Sequence, residues 1–167
     1  RQDPQLGVFI RKHASAVALY CDVSLLSVFS DPEQQKIFEF EERNEYGVNV
    51  TIVYFKKFTS KIPLLDKLVN FYRYFRASGL GLKQIKKKSG RLDVTHAYIM
   101  LRPALIAWWL KLRHGIPFVI SEQWSGYATG KFEAKSALEK FLYRAVFRRA
   151  DAVTAVSGFL KEKMGGS

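Results

Sequence analysis

Polar side chains cluster at the points where three apolar runs stop. His96-Ala97-Tyr98 closes the run that starts at Leu92, Ser121-Glu122-Gln123-Trp124-Ser125-Gly126 closes Ile116–Ile120, and Ser157 follows Ala152–Val156. In an open parallel sheet, ligands bind beyond the carboxyl ends of the strands, so these positions can reach a substrate. Glu122 is the most informative of them. A carboxylate directly after five strand residues, beside Gln123, Trp124 and Gly126, suits a ligand-facing loop better than a solvated face. His96 sits late in its strand, and the pattern fits a core-facing and a cleft-facing ring equally well. His13 falls on an apolar helix face, and His114 stands before Gly115 at a helix end, where the dipole favours a cation. Neither reads as a base. A fourth candidate is the turn Pro4-Gln5-Leu6-Gly7, because Gly7 lacks a Cβ and its N–H can approach a phosphate at a positive helix end. A plain turn residue is the competing reading of Gly7. No G-x-G-x-x-G and no G-x-x-x-x-G-K-[ST] occurs, which disfavours dinucleotide and P-loop chemistry. No close Ser/His/Asp or Cys/His spacing marks a nucleophile, and the histidines lack metal-like spacing, so no metal is expected.

The elements that must position these groups follow from periodicity. Phe9, Ile10, His13, Val17 and Tyr20 recur at helical spacing over 8–20, and 22–29 is a short apolar strand stopped by Ser30-Asp31-Pro32. Segments 37–43 and 48–55 alternate around Asn44-Glu45-Tyr46-Gly47, which predicts a hairpin at a sheet edge, half-exposed. Pro63 opens a second helical stretch that Ser78-Gly79 interrupts, with a short basic segment after it. Segment 92–99 then reads as a strand, 103–113 as a helix with Pro at its first position, and 116–121 as a buried strand. A helix over 136–149, a strand over 151–156 and a short helix over 158–164 complete the chain. Strands that alternate with helices and read as continuous apolar runs imply an α/β fold, Rossmann-like, with a mostly parallel sheet covered on both faces. Segments 22–29, 92–99, 116–121 and 151–156 are expected in that one sheet.

Composition narrows the class of protein. A chain of 167 residues, 48% hydrophobic and 14% aromatic, has the size and apolar content of one packed domain over 1–167. No apolar run approaches the roughly 18 residues of a membrane-spanning helix. The start RQDPQLGVFIRKH has no signal-peptide core. A single cysteine, Cys21, excludes an internal disulfide and points to a reducing, cytoplasmic setting. Against 15 Asp and Glu stand 27 Lys and Arg, a net charge of +12, which favours anionic partners.

Three stretches carry a family resemblance: PQLGVFIRKHASAVA, DVTHAYIMLRPALIAWWLKLRHGIPFVISEQWSGY and RAVFRRADAVTAVSGFLKEKM. Together they resemble the N-terminal half of GT-B enzymes of glycosyltransferase family four. There a Gly turn precedes the first helix, "H-A-H" ends the fourth strand, "[ST]-E-H" ends the fifth, and "R-x-A-D-x-[VI]-x-x-V-S" precedes the crossing to the other half. The resemblance implies an acceptor-binding half of a retaining glycosyltransferase. Such an enzyme moves a hexose from a nucleoside diphosphate sugar to a glycan or lipid-linked acceptor, without a cofactor or an obligate metal. By the same resemblance Gly7 lies near the donor phosphates, His96, Tyr98 and Trp124 on the acceptor side, and Glu122 and Gln123 at the reacting sugar. Two positions depart from the family's strings, since Tyr98 and Gln123 stand where it carries histidines. The strand that usually precedes the Gly turn has no counterpart. The half that holds most donor contacts would follow residue 167, so the fragment is expected to be inactive alone.

The excess of positive charge admits two further expectations. Residues 61–88 interleave apolar anchors with cations, among them Lys83, Lys86, Lys87 and Lys88, as a helix lying on an anionic membrane face would. Coverage of the sheet by the same apolar residues is the competing reading. A membrane role would suit polysaccharide or glycolipid synthesis at the inner face. The alternative from another class is a basic nucleic-acid-binding α/β module, prompted by the net charge and by Phe71-Tyr72-Arg73-Tyr74-Phe75-Arg76. No RNP, KH or helix-turn-helix signature accompanies it, and nucleic acid is not expected as a partner.

Overall fold

The computed structural model describes residues 8–98, 101–122, 132, 134–155, 157–158 and 162. They fall into two compact units, Arg1–Arg91 and Leu92–Ser167. The four segments expected in one sheet divide between two three-stranded sheets. An apolar run marks a strand but carries nothing about which other run it pairs with.

In the first unit, α1 (Val8–Val17) precedes β1 (Val23–Asp31), β2 (Phe38–Glu45), β3 (Val48–Lys56) and α2 (Pro63–Ser89). The strand order is β1-β3-β2, with β1 parallel and β2 antiparallel to β3. Glu45 pairs with Val48, so the hairpin turn is only Tyr46-Gly47, both at positive φ (49° and 80°). That is the type I′ geometry whose twist matches the flanking strands. The hairpin does not lie at the edge as a whole. Only β2 does, and its Arg43 pairs with Glu41 and Glu45 at 3.2 and 2.8 Å, charges that blunt a sheet edge. β3 is central and buried on both faces. Val48, Val50, Ile52 and Tyr54 pack with Ala14 of α1, while Val53 and Phe55 pack with Ala77 of α2. Its apparent alternation came from Asn49 and Thr51, and Thr51 is in fact buried.

Helix α2 runs unbroken through Ser78-Gly79 to the basic segment, because Ser78 Oγ donates to the Tyr74 carbonyl (2.8 Å) instead of opening the backbone. A Cβ on Gly81 would overlap Leu26 Cδ1 and come within 3.1 Å of Val53 Cγ2, so a larger residue there requires the Leu26 side chain to shift. At the other end Asp66 accepts the Ser60 N–H (2.7 Å), and Asn70 holds both the N–H and the C=O of Phe58 (2.8 and 2.7 Å).

The second unit alternates β4 (Thr95–Tyr98), α3 (Leu101–His114), β5 (Phe118–Glu122), α4 (Ala137–Arg149) and β6 (Ala152–Ala155). The sheet is wholly parallel, in the order β4-β5-β6. Pro103 occupies the third position of α3 rather than the first, which costs nothing because first-turn N–H groups have no intrahelical acceptor. Ser136 and Glu139 form a capping box at the start of α4. Ala97, Phe118 and Ile120 pack against Ala104, Ala107 and Val146 of the two helices. Parallel strands crossing through helices make this a Rossmann-like α/β fold. The short helix expected over 158–164 lies almost wholly outside the described residues.

Candidate functional site

Alternation along the second sheet divides its residues into two faces. Ala97, Phe118 and Ile120 point to the helices, so His96, Tyr98, Ser121 and Thr154 share the other face. The register places Tyr98, Ser121 and Thr154 on one rung at the carboxyl ends of the three strands. His96 Nε2 lies 2.7 Å from Ser121 Oγ, which lies 2.6 Å from Thr154 Oγ1. The rings of His96 and Tyr98 stack with centroids 4.2 Å apart and planes 26° apart. Burial pushes the Tyr98 phenol up to about 12, so it remains a neutral donor throughout the physiological range.

Each member of the His96–Ser121–Thr154 chain can both donate and accept. Changing the imidazole tautomer reverses the direction of the whole chain, and the ring stack beside it offers a flat apolar surface. Such an arrangement suits a polyol, whose hydroxyls both donate and accept and whose ring faces are apolar. It does not have the form of a serine nucleophile, because Ser121 Oγ is already shared between His96 and Thr154 inside a strand.

Glu122 is the last residue of β5, not the first of a loop, and only 1% of it is exposed. Its parity with Ile120 puts it on the helix-covered face, opposite the His96 rung; its register partner Ala155 packs beside Phe132 and Tyr143. The structure therefore brings His96 and Tyr98 together and sets Glu122 apart. Gly7, Gln123 and Trp124 lie outside the described residues. Ser121 and Thr154 were missed as partners of His96, although a hydroxyl late in an apolar run at both strands was the available signal.

Below the site, Asp151 ties three elements at the amino ends of the strands. Its carboxylate accepts from Lys111 Nζ (2.7 Å) and from the Phe118 N–H (2.9 Å). These bonds, the lysine's first, hold its carboxyl below the usual range. The first unit carries a polar groove of about 320 Å³ lined by Ser24, Asn49 and Lys88 among others, at the amino ends of β1 and β3. Lys88 itself pairs with Glu42 at 2.8 Å. Among the described residues, no group of three or more His, Cys, Asp or Glu side chains could hold a metal ion.

The family profile of the glycosyl transferase 4-like domain matches residues 14–166. The chain belongs to that family. Its match spans both units, including the His96 rung and Asp151 within R-R-A-D. At the family level this is a glycosyltransferase domain, a protein that handles a sugar donor and an acceptor. No curated protein matches the chain. Among the described residues, no helix is long and apolar enough to cross a membrane.

Proposed function

We propose that this glycosyl transferase 4-like domain is the acceptor-binding half of a retaining enzyme. That enzyme transfers a hexose from a nucleoside diphosphate sugar to a glycan or lipid-linked acceptor, with no obligate metal. The observation that carries the reading is the His96–Ser121–Thr154 chain beside the stacked Tyr98, at the carboxyl ends of parallel strands. A sugar hydroxyl entering there meets a group that can give or take a hydrogen bond. Beside it the neutral Tyr98 phenol contributes a donor. Glu122, buried on the helix-covered face, acts as a positioning residue at the end of β5, just before Gln123 and Trp124 in the sequence. Gly7 serves the donor phosphate, as the family resemblance implies. Groups that stabilise the departing diphosphate belong, on the same resemblance, to a second Rossmann half.

Equilibrium binding of methyl hexosides to wild type and to Ser121→Ala tests the reading. One net hydrogen bond is worth about 0.5–1.5 kcal/mol, so the variant should bind about twofold to tenfold more weakly. Nucleoside diphosphate hexoses should be neither hydrolysed nor consumed by the chain alone. Turnover of any of them by residues 1–167 would contradict the division of labour.

A further inference from the structure

Helix α2 has two faces along its whole length. Ala77, Ser78, Gly81 and Ile85 are buried toward β1 and β3. On the opposite side Leu64, Leu68, Phe71 and Tyr72 recur at helical steps of three and four. They are 67%, 60%, 43% and 63% exposed, and Leu65 beside them is 40% exposed. Phe71 and Phe75 are in contact, with ring centroids 4.6 Å and planes 46° apart, so this is a built stripe rather than scattered side chains. Following the same steps toward the C-terminus, the stripe gives way to Arg76, Lys83, Lys86 and Lys87. At 27 residues the helix is about 40 Å long, apolar along its first half and cationic along its second, on one side. A stripe of this kind on a water-soluble surface marks an interaction site.

The charges indicate the occupant. Asp66 is the one acid between Lys56 and Lys88, and its carboxylate is held by the Ser60 N–H. Lys83, Lys86 and Lys87 are exposed, whereas Lys88 turns to the sheet and pairs with Glu42. We infer that the solvent face of α2 docks on an anionic lipid surface. Leu64, Leu68, Phe71 and Tyr72 enter the headgroup boundary while Lys83, Lys86 and Lys87 meet lipid phosphates. An apolar stripe in line with cations matches a planar layer that is greasy at depth and anionic at its rim. A nucleic-acid backbone would leave the leucines and aromatics without a partner. Lys88, grouped with the other lysines on sequence alone, does not share this face.

Co-sedimentation with vesicles of phosphatidylcholine alone, and of phosphatidylcholine mixed with phosphatidylglycerol, tests the inference. The chain should sediment with the mixed vesicles only. Changing Lys83, Lys86 and Lys87 together to Gln should lower partitioning on the order of a hundredfold, at about a factor of five per cation. Lys88→Gln should leave it unchanged. Tyr72→Trp should shift its emission to the blue on mixed vesicles, and Leu68→Gln with Phe71→Gln should lose binding with the circular dichroism spectrum intact. Methyl hexoside binding by all these variants should match wild type, which keeps this test separate from that of sugar transfer. Equal binding to both vesicle types would overturn the inference. So would a triple variant that still binds, a Lys88→Gln loss as large as the triple one, or a stripe that captures an oligonucleotide or a second copy of the chain instead.

Discussion

Ser121 is the residue on which the site turns, because it joins the imidazole on one neighbouring strand to a hydroxyl on the other. Its hydroxyl can donate in only one direction at a time, so a ligand that fixes one end of the chain fixes the other. Tyr98 supplies an independent residue-scale test. A phenol raised from 10.0 to about 12 by burial keeps its proton in the folded state after the unfolded chain has lost it. Its contribution to stability is therefore complete below about pH 10 and is lost as pH rises toward 12. Tyr98→Phe should remove that component from the alkaline limb of urea-unfolding stability, with one late-titrating tyrosine missing from the ultraviolet difference spectrum. Glu122 should behave differently. Truncation to Ala removes a buried side chain together with the contacts of its carboxyl, and a loss of about 1–3 kcal/mol in stability is expected, measured by the same unfolding curves. That His96 and Tyr98 lie together at the end of a strand was legible, because they end an apolar run. The burial of Glu122 was not, since strand parity cannot be counted until the strand's last residue is known.

Helix α2 shows at the scale of an element what sequence can and cannot convey. Its periodicity was plain, and so was its mixture of apolar and basic residues, but Ser78-Gly79 suggested a break where the helix continues and packs on the sheet through Ala77, Ser78 and Gly81. Gly81 is there for proximity to Leu26 and Val53, a tertiary fact that no local pattern encodes. Gly81→Val, whose branched side chain adds atoms beside Leu26 and Val53, should cost about 1–3 kcal/mol through overpacking, read as a lowered denaturation midpoint at unchanged slope. Strand β3 fails in the same way. Its Thr51 reads as polar and exposed, yet the strand is central, because a threonine fits a buried β position when its neighbours cover it. At α4, local chemistry sufficed. Ser136 was included in the expected helix and is its cap, so Ser136→Ala should destabilise by about 1 kcal/mol in thermal unfolding.

Across the whole molecule, the alternation of strands and helices was readable and the assignment of strands to sheets was not. Order and direction along the chain come from local patterning, whereas pairing depends on which edges meet. The family match covers residues 14–166 and makes the chain a glycosyltransferase domain. The proposal is more specific than the family: sugar binds at the carboxyl ends of β4, β5 and β6. Backbone amide shifts during titration with a panel of methyl hexosides decide where sugar binds. Shifts should converge on Tyr98, Ser121 and Thr154, and Ser121→Ala should abolish or weaken them. Shifts confined to the groove at Ser24 and Asn49, or none at any sugar concentration reached, would contradict it.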